Sequence, residues 1–293
     1  MTTRQRTVLI TGTSSGIGLA TAVTAARAGF TTVATMRDPE RSHALREEAD
    51  RAGVTLDVRR LDVTDAESVT SCVEGVRDTY GRLDAVVNNA GVSNFDPTME
   101  MSTMEALRAN LEVNFFGVVA VSRAAMPLLR AGRGRLLTIG SVHGVVGQPF
   151  NEAYAAAKFA VEGFMESLAP VAAEHGVRVS VVVPGFVPGT RFGVFPDVNR
   201  ETIRAASGPY AGTFTDYVDW VRGQGWERAG QPAWDVADVV VRALTAAEPP
   251  FRIPTSAWVS EYLASKLTDR DGSAVQSLAR SWIAGPERSG AAT

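Results

Sequence analysis

Six short strand-like runs, more continuously apolar than alternating, recur through the first two thirds of the chain: residues 8–10, 32–35, 58–61, 85–87, Arg135–Ile139 and 177–183. An alternating strand leaves one face wet. A continuous apolar strand needs cover on both faces, which is the condition of a parallel strand between two helix layers. Helical patterns fill the gaps, at residues 18–28, 44–52, Ala66–Tyr80, 104–129 and Glu152–Glu174. Strand–helix alternation with right-handed crossovers predicts an α/β fold, a single doubly wound parallel sheet with helices on both faces. Sheets of this kind take their ligands at the carboxyl ends of the strands, near the point where strand order reverses.

The first of those ends carries Thr11-Gly12-Thr13-Ser14-Ser15-Gly16-Ile17-Gly18, followed at once by a helix. The glycines are spaced Gly-x-x-x-Gly-x-Gly rather than Gly-x-Gly-x-x-Gly. The physical purpose is shared: a tight turn, close backbone approach, and helix N–H groups presented to a pyrophosphate. The second strand runs out into Thr35-Met36-Arg37-Asp38. An acid near this point suits the ribose 2′-hydroxyl of NAD, and an arginine suits the 2′-phosphate of NADP. Arg37 comes first and Thr35 and Met36 are uncharged, so NADP(H) is favoured, with Asp38 keeping NAD(H) as the alternative. After the third strand, Asp62 and Asp65 divide two jobs between them in either order: contact with an adenine amino group, or capping of the next helix.

Lysine is used twice in 293 residues, and every other basic side chain apart from three histidines is arginine. One of the two, Lys158, lies four residues after Tyr154, one turn along the same helix face. A compact ammonium beside a phenol favours phenolate, so the tyrosine pKa is expected below its ordinary value of about 10. That defines a proton-transfer pair. His143 near Ser141 has no Gly-x-Ser-x-Gly elbow around the serine, which argues against a hydrolase. Three histidines (43, 143 and 175) and the single Cys72 provide no zinc set, so no metal is expected.

The net charge is −3, and there is no Lys/Arg run to serve a nucleic acid or a membrane surface. The lone cysteine excludes an intrachain disulfide and points to a reducing, cytoplasmic setting. The apolar run at 8–10 is too short for a signal-peptide core, and no stretch approaches a membrane span. All five tryptophans (220, 226, 234, 258 and 282) fall after Thr190. Residues 191–235 read as a substrate lid, or as a subunit interface or small helical subdomain packed on the core, and residues 285–293 as a tail.

Together these residues resemble the short-chain dehydrogenase/reductase family, with the hydroxysteroid and retinol dehydrogenase-like branch the nearest in character. The match runs through most of the first 190 residues. The resemblance implies a single Rossmann-type domain over 1–293 and a cofactor turn built from Gly12, Ser14, Ser15, Gly16, Ile17 and Gly18. It implies adenine contact by Asp62 and Val63, and a motif Asn88-Asn89-Ala90-Gly91 that buttresses the sheet and lines the cofactor. Pro184, Gly185, Val187 and Thr190 follow the sixth strand as the turn beside the nicotinamide, here with one residue more than the family's usual spacing. The implied catalytic set is Asn114, Ser141, Tyr154 and Lys158. Tyr154 exchanges a proton with the substrate oxygen and Ser141 polarises that oxygen. Lys158 holds the nicotinamide ribose, and Asn114 holds a water leading to Lys158. A small carbonyl or alcohol substrate and a homodimer or homotetramer are implied as partners. Phe95, Phe150, Phe186, Phe192 and Phe195 suggest an apolar substrate. The rival readings are a cofactor-sensing regulator without turnover, and a dehydratase or epimerase retaining its nicotinamide.

Overall fold

The computed structural model describes residues 5–93, 97–190, 200–223 and 230–264, with 266, 271 and 273. Its strands are β1 (Thr7–Thr11), β2 (Thr31–Met36), β3 (Asp57–Arg60), β4 (Ala85–Asn88), β5 (Arg135–Ile139), β6 (Arg178–Val183) and β7 (Arg252–Pro254). All pair in parallel in the order β3-β2-β1-β4-β5-β6-β7. The helices are α1 (Gly16–Arg27), α2 (His43–Ala52), α3 (Ala66–Tyr80), α4 (Met104–Leu111), α5 (Gly117–Gly132), α6 (Glu152–Glu174), α7 (Arg200–Ala206), α8 (Ala211–Gly223), α9 (Ala233–Thr245) and α10 (Ala257–Ala264).

The continuous apolarity of β1 has the expected cause. Val8 and Ile10 join the core formed with Leu19, Val23 and Leu244 of α1 and α9. Leu9 points the other way, into the core formed with Val76, Val121, Leu129 and Met165 of α3, α5 and α6. All three are fully buried, each contributing about 1.5–3 kcal/mol by transfer from water. The order reverses between β1 and β4, so the carboxyl ends of β1, β4, β5 and β6 open around one crevice. The glycine turn, the Asn89–Gly91 segment, Ser141 and the Pro184–Thr190 turn leave those four ends.

Two elements differ from expectation. The helix expected over 104–129 is divided by a π-helical turn at Glu112–Phe116. The whole of Met104–Gly132 is long and apolar enough to cross a bilayer by length and composition alone, where no such stretch was expected. Val118, Val121, Ala125 and Leu129 on it are nonetheless buried in the core of the sheet. The second difference is β7, a strand too short to show a pattern. Its Arg252 is 4% exposed and donates from Nε to Glu162 Oε1 at 2.6 Å, tying the sheet edge to α6. Burial raises the Glu162 carboxyl and the arginine opposes it.

Removing one partner of a buried pair strands the other charge. Arg252→Met is therefore expected to cost about 3–5 kcal/mol of unfolding free energy, and the double variant with Glu162→Gln distinctly less. Denaturant melts measure both, and a small loss from Arg252→Met alone would show the pair to be solvated.

In the C-terminal third, α7 and α8 enclose a separate apolar cluster of Phe150, Ile203, Phe214 and Val218. Residues 191–199 and 224–229 of the expected lid, Phe95, Phe192 and Phe195, Trp226 and Trp282, and the expected tail at 285–293 lie outside the described residues.

Candidate active site

The turn after β1 is shaped by two glycines. Gly12 takes φ +72°, and a Cβ there would lie 2.7 Å from Ala90 Cα. At Gly18 a Cβ would lie 2.3 Å from both Asn89 Nδ2 and Gly12 O. No side chain fits in either place. The same crowding explains the Asn-Asn-Ala-Gly motif. Asn89 donates from Nδ2 to Thr11 O at 2.8 Å and to Gly12 O at 3.0 Å. Thr11 Oγ1 accepts from the backbone N–H groups of Asn89 and Ala90, both at 3.0 Å. One residue earlier, Asn88 donates to Ser122 Oγ at 2.9 Å and to Thr138 Oγ1 at 3.3 Å, fixing β4 to β5 and α5. The sequence reading did not single out Thr11, Ser122 or Thr138 as the partners of this motif.

Helix α1 begins with Ser15 at its N-cap, without a side-chain capping bond and without an acid in the first turn. The N-terminal N–H groups around Ile17 are therefore not claimed by Ser15, the arrangement that receives a phosphate. Thr190 lies against this turn, its methyl 3.0 Å from where a Gly16 Cβ would be, and its hydroxyl donates to Val187 O at 2.7 Å. The extra residue before it is absorbed in the turn at 188–190. These observations fit a dinucleotide with its pyrophosphate at the α1 N-terminus.

The two aspartates after β3 are now distinguished. Asp65 caps α3, accepting from the N–H groups of Glu67 and Ser68. Asp62 accepts from Thr64 N and Oγ1 at 3.0 and 2.8 Å. Burial works to raise its carboxyl, but the Thr64 bonds outweigh it, with help from Arg37 and Arg60, and the net shift is downward. The Val63 side chain is buried against Gly117, in the core rather than the crevice. Asp38 caps the turn Pro39–Arg41, accepting from Glu40 N at 3.1 Å, while Arg37 is exposed.

Ser141, Tyr154 and Lys158 come together at the carboxyl end of β5, all buried. Ser141 Oγ accepts from His143 N at 3.1 Å and hydrogen-bonds Tyr154. Lys158 donates from Nζ to Ile139 O at 2.8 Å, with Nζ 5.7 Å from the centre of the Tyr154 ring. The expectation that Lys158 holds the phenol below 10 needs correction. Burial pushes Tyr154 up to about 12, with the Ser141 bond acting in the opposite direction. Burial also pushes Lys158 down to about 8. In this protein environment desolvation of the phenolate sets the direction of the shift. Neighbouring His143 is pushed by burial down to about 4 while its Nδ1 faces Val146 O at 3.3 Å, so it stays neutral near pH 7.

Asn114 sits in the π-helical turn, a distortion common at functional sites. Its amide donates to Val92 O at 2.8 Å and to Asn110 Oδ1 at 2.6 Å, and its Oδ1 accepts from Val92 N at 3.0 Å. One amide proton and Oδ1 thus hold Val92 in the loop that follows Gly91, the other amide proton is taken by Asn110 of α4, and only a remaining lone pair on Oδ1 is left for a water. Phe150 is buried against Phe214 and Tyr217, and Phe186 is partly exposed. Val142 N donates to Pro184 O at 3.1 Å, coupling the Ser141 turn to the turn after β6.

A glycine cradle at the switch point of a doubly wound sheet, with a buried phenol across the crevice, defines the class: a nucleotide-dependent oxidoreductase. Comparison with known proteins specifies the family. The family model described as short chain dehydrogenase matches residues 6–194, and the chain belongs to the short-chain dehydrogenase family, in its hydroxysteroid and retinol dehydrogenase-like branch. Retinol dehydrogenase 8 of Bos taurus is 38% identical over 280 residues, covering 92% of this chain and 87% of its own. 17-beta-hydroxysteroid dehydrogenase type 1 of Homo sapiens is 36% identical over 273 residues, covering 91% and 82%. Among solved structures, a short-chain dehydrogenase from Streptomyces avermitilis aligns with a TM-score of 0.72 at 27% identity, covering 96% of both chains. A metagenomic short-chain oxidoreductase in complex with NADP aligns at 0.66 and 27%, covering 85% and 95%. The chain is an NAD(P)-dependent oxidoreductase acting on CH–OH and C=O groups.

Proposed function

We propose that Tyr154 is the proton-transfer group for the interconversion of an apolar ketone or aldehyde with its alcohol, using NADP(H) in preference to NAD(H). The carrying observation is the buried Ser141–Tyr154 hydrogen bond with Lys158 one turn further along α6. The nicotinamide supplies or accepts the hydride when bound. Ser141, with one lone pair taken by His143 N–H, turns its hydroxyl toward the reacting oxygen and polarises it. Tyr154 gives its proton to that oxygen in reduction and takes it back in oxidation. Lys158 contributes its charge and donors to the ribose side of the site, where a neutral phenol at about 12 and an amine at about 8 need a polar partner to be drawn toward phenolate and ammonium. Asn114 keeps the π-turn and the loop after Gly91 in register with Lys158.

Cofactor preference rests on the end of β2. Asp38 is engaged as a cap, and Arg37 stands exposed close enough to Asp62 to lower its carboxyl. Arg37→Ala is expected to weaken NADPH by about tenfold or more, the value of a charge-assisted phosphate contact, and NADH little. Equal losses for both would remove the preference. The relatives' names supply the first substrates to try: retinal, a 17-ketosteroid and simpler carbonyls such as decanal and acetophenone, followed by nicotinamide absorbance. Absence of turnover across this panel, with NADPH bound, would favour the cofactor-sensing reading.

Self-association is supported by apolar side chains on the long helices. Met104 and Phe116 are 55% and 52% exposed, and Phe159 and Val171 on α6 are 37% and 50% exposed. Residues 191–235 are read as the substrate lid.

A further inference from the structure

The segment joining Ser141 to Tyr154 is bound to a helix from the far end of the chain. Phe150, four residues before Tyr154, has φ +58°, a conformation unusual for a bulky side chain. Such a conformation persists only where the surroundings impose it. Here the imposing contacts come from α8: the Phe150 ring meets Phe214 edge-on at 5.2 Å and Tyr217 at 5.6 Å. Tyr217 also accepts a hydrogen bond from Gln148 Nε2 at 3.0 Å, and Gln148 Oε1 accepts from Asn151 Nδ2 at 2.9 Å. Asn151 is the N-cap of α6, a position where asparagine ordinarily accepts from the first-turn N–H groups. It makes no such bond, and its Oδ1 is buried with no donor among the described residues. The side chain has given up local capping to hold Gln148. Its carbonyl still accepts from Ala155 N at 2.9 Å, so Asn151 sets the first turn of the helix that carries Tyr154. Tyr217 is also near Glu152, the first residue of α6, and Tyr262 of α10. Tyr262 stacks on Trp258 at 5.1 Å, and Trp258 lies against Gly185 beside the crevice.

We propose that α8 is a positioning element for Tyr154, with Tyr217, Gln148 and Phe150 as positioning residues that fix the entry of α6 and the placing of the phenol against Ser141. The proposal rests on the reading of Tyr154 as the proton-transfer group. Tyr217→Phe keeps the ring on Phe150 and removes the acceptor of Gln148. It is expected to lower kcat about tenfold, as small misplacements of a reacting group do, while KM and NADPH affinity change little. Phe150→Gly adopts φ +58° without strain but empties the ring's place against Phe214 and Tyr217, so it is expected to lose turnover with a lowered Tm.

The assays use the full chain with NADPH and the carbonyl turned over fastest in the panel above, alongside Tyr154→Phe. The proposal is overturned by an unchanged kcat in Tyr217→Phe and Phe150→Gly, or by a change confined to KM. An inactive Tyr154→Phe beside an unaffected Tyr217→Phe sinks the positioning role alone. An active Tyr154→Phe sinks the reading of Tyr154 and the positioning role with it.

Discussion

Replacing Tyr154 by phenylalanine is expected to lower kcat by about 10³-fold, within the range that a placed general acid contributes, and to leave NADPH affinity within a factor of about two. The ring of phenylalanine fills the same buried space, and the hydroxyl is removed together with its transferable proton and its bond to Ser141. The sign of the pH dependence follows from the same group. Carbonyl reduction needs the neutral phenol, so its rate falls as pH rises through the phenol's pKa in the complex. Alcohol oxidation needs the phenolate and rises over the same interval. Without cofactor the phenol is held up at about 12 by burial. The interval seen in turnover is therefore expected at lower pH than the value titrated in the free protein, since a bound cation and a protonated Lys158 favour phenolate. Steady-state profiles in both directions and a spectroscopic titration of the free protein measure the two values. Tyr154→Phe at more than about a tenth of the wild-type rate would remove the proton-donor role.

The second large effect is at the cofactor turn. Gly18→Ala brings a methyl to 2.3 Å from Asn89 Nδ2 and Gly12 O, and the Asn89 amide cannot swing away without losing its bonds to Thr11 and Gly12. Overpacking of this kind costs about 1–3 kcal/mol of stability, and the displaced turn is expected to weaken NADPH binding by more than tenfold. Gly163→Ala in α6 is the control. Nothing lies within 4 Å of a Cβ there, and alanine's helix propensity is expected to raise stability by up to about 1 kcal/mol. Calorimetry and thermal melts measure both variants. Unchanged cofactor affinity in Gly18→Ala would mean that the turn moves as one body.

Five of the strands were legible because burial on both faces writes itself into consecutive residues, as in Val8, Leu9 and Ile10; β3, at the sheet edge with Arg59 and Arg60, is only partly buried. The glycine turn and the Tyr154–Lys158 pair were legible because local spacing along one turn or one helix creates them. What was not legible depends on partners remote in sequence. β7 begins with a charged residue, and nothing near Arg252 announces that Glu162 neutralises it. Asn114, implied only as the holder of a water, gives no sign in the sequence of its paired bonds to Val92. The direction of the Tyr154 shift was misjudged because a neighbouring charge is visible in a sequence and desolvation is not. Of the tryptophans, Trp258 is tied to the crevice by contact with Gly185, a proximity with no counterpart in spacing.

The placing of β7 also bears on how the protein is made. The Glu162–Arg252 bond spans 90 residues, so in a chain leaving the ribosome the edge that steadies α6 emerges long after the cofactor turn and α6 itself. Long-range parallel pairing forms slowly and leaves the edge of β6 uncovered in the interval. The nascent enzyme is thus most open to misassociation at the stage when it already carries all four residues of its proposed chemistry.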